Sequence, residues 1–274
     1  MPHTRKKPTQ SHPKKKTSSS KRMPAWIRFL LKMGLVLLIL LAFYWFAVRP
    51  YSYRWKPCYG KQEYGICMPG NYDIHGIDIS HHQGDINWTK LAESKETRYP
   101  IRFIFMKATE GGDFSDKRFQ RNFENARKHG FVRGAYHYFN PRTDAKKQAD
   151  FFIKSVKLEK GDLPPVLDVE VKGKMPVGEL QKKIKIWLDR VEAHYGVKPI
   201  IYTTRGFGNG YLSGELLKDY PRWIAHYNVE ALRYNGKWHF WQHSEKGVLP
   251  GIKKKVDLNV FNGSSKEFQQ LLIK

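Results

Sequence analysis

Eight short apolar runs, strung between His75 and Phe261, constrain this chain more than any other feature. They read as strands near His75–Ser80 (HGIDIS), Arg102–Thr109 (RFIFMKAT), Val132–Phe139 (VRGAYHYF) and Pro165–Val171 (PVLDVEV). Four more follow near Pro199–Thr204 (PIIYTT), Arg222–Tyr227 (RWIAHY), Trp238–Ser244 (WHFWQHS) and Val256–Phe261 (VDLNVF). Amphipathic segments separate the earlier runs. In Gly178–Tyr195, Leu180, Ile184, Trp187, Leu188 and Val191 recur at helical spacing against Lys182, Lys183, Lys185 and Arg190. Phe119–His129 and Ala145–Lys157 behave alike, with Phe123, Ala126, Phe151, Phe152 and Val156 as their apolar faces. Strand–helix–strand alternation implies parallel pairing and right-handed crossovers, and eight strands are enough to close a barrel. The connections between Tyr227, Trp238 and Val256 are too short and polar for regular helices. The expected fold is therefore α/β, a (β/α)₈-like barrel with an irregular final third, over residues 72–274.

Apolar residues make up 41% of the 274 and aromatics 14%, so a disordered chain is excluded. The net charge is +24, and residues 1–32 hold ten Lys/Arg without one Asp/Glu. Residues 1–28 read as a basic disordered tail. Gly34–Val48 is then uncharged and almost wholly apolar. Those fifteen residues fall short of a hydrocarbon core of about 30 Å, but residues 29–48 reach it if Lys32 snorkels to the interface. Trp26, Tyr44 and Trp45 lie where amphipathic rings prefer to sit. A cleaved signal peptide would need small residues after the run, whereas AFYWFAVRPYSYRW is bulky. The expectation is one uncleaved signal anchor, with a cytoplasmic N-terminus and an exported C-terminal domain. A positive flank beside a membrane helix needs no nucleic acid, and none is expected as a partner. Residues 49–71 form a linker. In it, Cys58 and Cys67 stand in a Gly- and Tyr-containing turn, where an exported chain is expected to form a small disulfide loop. They lack the CxxC spacing of a redox or metal pair.

In barrels of this kind the chemistry sits at the C-terminal ends of the strands. Asp78 ends the first strand. Asp168 and Glu170 end the fourth, two apart and therefore on one side of the sheet. Asp257 opens the last. Two charges in the apolar run PPVLDVEV are costly unless paired with Lys or Arg across the mouth or used in catalysis. A glycosidase needs one carboxyl kept protonated near neutral pH beside a second carboxylate, and like charge with desolvation supplies both conditions. Tyr136, Tyr138, Tyr202, Trp223, Tyr227 and Trp241 occupy the same strand ends, as core packing or as flat surfaces for sugar rings.

The ordered series HGIDISHHQGDINW, FIFMKATEG, GAYHYF, LDVE, IIYTT, WIAHY, WQHS and VDLNVF resembles the family 25 glycoside hydrolases, the Chalaropsis-type lysozymes. The resemblance spans about residues 74–261. It implies cleavage of the β-1,4 bond between N-acetylmuramic acid and N-acetylglucosamine, with retention and with no metal or cofactor. By motif, Glu170 is implied as general acid and Asp168 as the group steadying the substrate's 2-acetamido group, with neighbouring-group and protein-nucleophile routes both left open. Asp78 and Asp257 complete the acidic cluster, and Tyr136, Tyr202 and Trp223 line the sugar site. Peptidoglycan glycan strands are the implied partner, and the bacterial cytoplasmic membrane, with the catalytic domain outside, the implied location. The anchor, the basic tail and the Cys58/Cys67 segment depart from the family pattern. His81 and His82 follow Asp78 without a third residue at metal-ligand spacing, and His239, Trp241 and His243 share a strand face. A wall-binding scaffold without activity, and a hydrolase of chitin-like chains, remain as alternative readings. The oligomeric state is left open.

Overall fold

The computed structural model describes residues 23–49 and 62–274, in two units that divide after Pro50. The basic tail up to residue 22 and Cys58 lie outside the described residues. The first unit is the helix α1 (Ala25–Phe43), continued by a wider-wound turn, Tyr44–Val48. Its most apolar 18 residues have a mean hydropathy of 2.3, none buried against protein. At 1.5 Å per residue the 24 residues from Ala25 to Val48 span about 36 Å, enough by length and composition to cross a membrane. The helix begins four residues before the expected span, directly after Pro24.

The second unit opens with a hairpin, β1 (Gln62–Glu63) and β2 (Ile66–Cys67). Tyr64 and Gly65 turn it, both with positive φ (53° and 75°), as a two-residue hairpin turn with the right twist requires. The Tyr64 ring is buried, its hydroxyl 2.6 Å from Thr97 Oγ1 and 2.9 Å from the Tyr99 carbonyl. The expected boundary at residue 72 thus falls inside a packed segment.

The barrel strands are β3 (His75–Ile79), β4 (Ile101–Glu110), β6 (Val132–Tyr138), β7 (Val166–Asp168), β8 (Ile200–Thr204), β9 (Arg222–Ala225), β10 (Phe240–Gly247) and β11 (Val256–Phe261), with β5 (Phe114–Ser115) folded back on the end of β4. Pairing runs β3-β4-β6-β7-β8-β9-β10-β11 and returns to β3, closing an eight-stranded ring. Every pair is parallel except the two that β11 makes with β10 and β3. The helices α2 (Trp88–Ala92), α3 (Phe119–Lys128), α4 (Ala145–Ser155) and α5 (Val177–Tyr195) fill the early crossovers. After β8 there is only the short α6 (Arg205–Tyr211) and a 3₁₀ turn, and β9, β10 and β11 follow without helices, as the polar connections predicted.

Alternation divides the core in two. Outward residues such as Ile77, Ile104, Met106, Leu167 and Ile201 pack with Leu180, Ile184, Trp187, Leu188 and Val191 of α5 and with Phe152 of α4. Inward residues Phe103, Phe105, Val166, Ile200, Trp223, Phe240 and Phe261 fill the barrel. Gly76 and Gly134 make room for them, since a Cβ there would stand 2.4 Å and 2.5 Å from the Phe103 and Phe105 rings. The final helix α7 (Ser265–Leu271) plugs the lower end with Phe268.

Candidate active site

Above the aromatic filling, the inward positions turn polar. Asp78 and Asp257 are register partners on β3 and β11. Because β11 runs antiparallel, its first residues lie at the same edge as the last residues of the other strands. Asp168 closes β7, aligned with Tyr138 on one side and Tyr202 on the other. Glu170 lies two residues past the last rung of β7, half-buried at the mouth. Asp78, Asp168, Glu170 and Asp257 therefore ring one opening, and Tyr136, Tyr138, Tyr202 and Tyr227 stand among them.

A hydrogen-bond network fixes this edge. Asp78 Oδ1 accepts from Gln242 Nε2 and Asn259 Nδ2, both at 2.7 Å. Gln242 Oε1 in turn accepts from the hydroxyls of Tyr202 (2.7 Å) and Tyr227 (2.5 Å). Trp223 Nε1 donates to Asn259 Oδ1 at 2.8 Å. Asp78 is thus supplied with donors on one oxygen, whereas Asp168 Oδ1 is buried with no partner. On Asp78, burial and the charge of Glu170 outweigh those donors and carry its pKa up to about 6. Burial, then the repulsion of Glu170, pushes Asp168 well above the usual carboxylate range, with Lys107 opposing. Glu170 is raised by burial and held back by Tyr202 and Lys107. Asp257 rises to about 8 through burial and the charges of Asp78, Glu245 and Glu170. The charge of Glu170 thus adds to burial in keeping a proton on Asp168 to higher pH than an isolated carboxyl would hold it.

Lys107, Gln242 and Asn259 were missed in the sequence. Lys107 continues the inward parity of Phe103 and Phe105, its ammonium 2.6 Å from Glu110 Oε2 and 5.1 Å from the centre of the Tyr138 ring. The period-2 pattern carried the signal, for a polar residue on an apolar inward face is expensive without a task. Two expected aromatics are placed differently. Trp223 is 2% exposed, stacked on Phe105 at 4.4 Å, so it is the floor of the opening and not its wall. Trp241 points out of the barrel into a cluster with Ile224, Leu232 and Val260 and donates to the His226 carbonyl at 2.8 Å. Strand parity sends it there, opposite to its neighbour Gln242, and the structure does not bring it to the acidic cluster. His81 is pinned by Asp116, whose Oδ2 lies 2.8 Å from both its backbone nitrogen and Nδ1. Among the described residues no group of three or more His, Cys, Asp or Glu is placed to hold a metal ion.

The sequence of this barrel matches the model of glycosyl hydrolases family 25 over residues 77–252, a span that holds Asp78, Asp168 and Glu170. The chain belongs to that family. As a family 25 member it is a glycoside hydrolase, and its matched span begins at Ile77 on β3 and ends inside the β10–β11 connection. Protein YegX of Escherichia coli K12, itself uncharacterized, is 42% identical over 218 residues, covering 79% of each chain. Lysozyme M1 of Streptomyces globisporus is 35% identical over 222 residues, covering 75% of this chain and 74% of its own. Among solved structures, a family 25 glycosyl hydrolase from Bacillus anthracis superposes with a TM-score of 0.65 at 35% identity, covering 73% of this chain and 93% of that one. The bacterial lysozyme of Streptomyces coelicolor gives 0.66 at 31% identity, covering 74% and 98%.

Proposed function

We propose that this family 25 enzyme is a muramidase, cleaving the β-1,4 bond between N-acetylmuramic acid and N-acetylglucosamine in peptidoglycan. The observation that carries the reading is the Asp168–Glu170 pair. One member is buried without a donor and the other is open to the mouth, above a floor of aromatic rings. Glu170, the accessible member, donates the pair's proton to the glycosidic oxygen as the C1–O bond breaks. The substrate's acetamido oxygen closes on C1, and Asp168 accepts the acetamido N–H, taking the donor its buried oxygen lacks. Water then adds to C1, Glu170 takes its proton, and the configuration is retained. Asp78 and Asp257 keep the mouth negative, favouring the positive charge that develops on the sugar ring. Tyr136, Tyr138, Tyr202 and Tyr227 flank the bound sugars.

The location belongs to the same reading. α1, with ten positive charges at or before Lys32, is an uncleaved signal anchor in the bacterial cytoplasmic membrane. The catalytic domain lies on the outer side, where Cys58 and Cys67 bridge. No cysteine among the described residues is free, which supports that bridge.

The test is reducing-end analysis of purified peptidoglycan treated with the chain and with Glu170→Gln. New reducing N-acetylmuramic acid, lost in the variant, is the expected result. New reducing N-acetylglucosamine would overturn the bond assignment.

A further inference from the structure

The mouth is acidic at its centre and basic at its rim. Lys246, Lys253, Lys254 and Lys255 are four exposed lysines in the ten residues that end β10 and lead to β11. None of the four belongs to an ion pair among those of the described residues. The loop that carries them is anchored. Leu249 and Ile252 are buried, the Gly251 carbonyl accepts from Asn87 N at 2.9 Å, and the Lys255 carbonyl accepts from Gln83 Nε2 at 3.1 Å. A Cβ on Gly251 would stand 2.3 Å from the Asn87 carbonyl, so the loop lies hard against the β3–α2 connection. The backbone that carries the lysines is thus fixed at the edge of the mouth, where β11 begins with Val256 and Asp257. In the ring of eight, β11 and β7 stand four strands apart. The connection after β7 carries Lys172, tied to the Met175 carbonyl at 2.7 Å, and exposed Lys174. Two lysine-bearing connections therefore leave the barrel at its mouth edge, on opposite sides of the ring.

A neutral glycan chain gains nothing from such a rim, and the oxocarbenium-like charge at its centre would be repelled by it. An anionic group a few ångströms off the glycan axis gains from it directly. Resting on the muramidase reading, we infer that the β10–β11 lysines bind the carboxylates of the stem peptides, so that the enzyme selects peptide-bearing over peptide-free strands. The bond broken and the general acid are unchanged by this. The lysines act on substrate capture and therefore on kcat/KM.

The test uses the full chain in detergent and the variant Lys253→Gln/Lys254→Gln/Lys255→Gln. A control, Lys154→Gln/Lys157→Gln/Lys182→Gln, makes the same charge change at exposed positions on the helix side. Substrates are uncross-linked peptide-bearing strands and the same strands stripped of peptide. The expected result is a fall of about five- to twentyfold in kcat/KM on peptide-bearing strands at low salt, from three exposed pairs of modest strength. High salt abolishes the difference, and activity on stripped strands and in the control variant is unchanged. Equal losses on both substrates, losses equal to those of the control, or no loss would each overturn the inference. Binding of labelled peptide-bearing strands to Glu170→Gln, with and without the three substitutions, gives the same discrimination without turnover. An inactive parent chain would sink the muramidase reading while this binding comparison still decides the role of the lysines.

Discussion

The two ends of the barrel interior are built from the same strands at the same inward parity, yet they do opposite things. The lower end is a chain of rings. Phe268, Phe103, Phe105 and Phe240 lie with successive centroids 5.2–5.7 Å apart, and Phe105 stacks on Trp223 at 4.4 Å. The upper end holds four carboxyls around one opening, linked by mutual repulsion. Rings at one end remove water from beneath the acids at the other, and that desolvation is the leading cause of each raised pKa. Stability is thus concentrated below, and chemical reactivity is obtained above at stability's expense.

Four substitutions break or sharpen that contrast. Glu170→Gln should lower kcat by about 10²–10⁴-fold with little change in thermal midpoint, checked by kinetics beside a melting curve. Phe103→Ala should do the reverse, costing about 3–5 kcal/mol in denaturant unfolding while the molecules that remain folded keep the same pH–rate profile. A profile displaced along with the stability would mean the two ends are less separable than their packing implies. Gln242→Leu sits between them. It removes a donor from Asp78 and the acceptor of two tyrosines, and at about 1.5–3 kcal/mol for a bond to a charged group it should lower kcat/KM by roughly 10–100-fold. The pH–rate profile itself should have two limbs, the acidic one as Asp168 gains a proton and the alkaline one as Glu170 loses its own, both displaced upward by burial.

Asp257→Asn is the smallest. Its folded pKa of about 8 lies above the ordinary 3.8, so the group contributes stability below about pH 4 that is lost as pH rises through 8. The variant should match the parent's midpoint at pH 4 and exceed it by a few degrees at pH 9. A variant less stable than the parent at pH 9 would show that Asp257 is held by a partner rather than strained by its neighbours.

Much of this was legible in the sequence. The helix expected over Gly178–Tyr195 forms as Val177–Tyr195 with all five expected apolar residues buried, because a 3.6-residue period survives without knowledge of the partner surface. The strand expected over Val256–Phe261 forms on those residues. The four acids converge as expected, although Glu170 lies past the ladder and not within it. What periodicity could not give was direction in three dimensions. A two-residue period places Trp241 and Gln242 on opposite faces but does not say which face is inside, and position at a strand end alone does not bring Trp241 to the mouth. Nor does a run such as VDLNVF say that it pairs antiparallel. That orientation, not its residues, brings Asp257 to the mouth.

The reversed last strand also sets a timetable. β11 supplies both remaining seams of the ring, one to its neighbour β10 and one to β3, some 180 residues earlier in the chain. Until residue 261 has been synthesised, one side of β3 offers bare amides and carbonyls, and the acidic interior has no closed wall. Closure is a contact of long sequence separation, the slow kind. A growing chain therefore waits as an open, edge-exposed sheet until β11 arrives, and only then acquires both its ring and its reactive mouth.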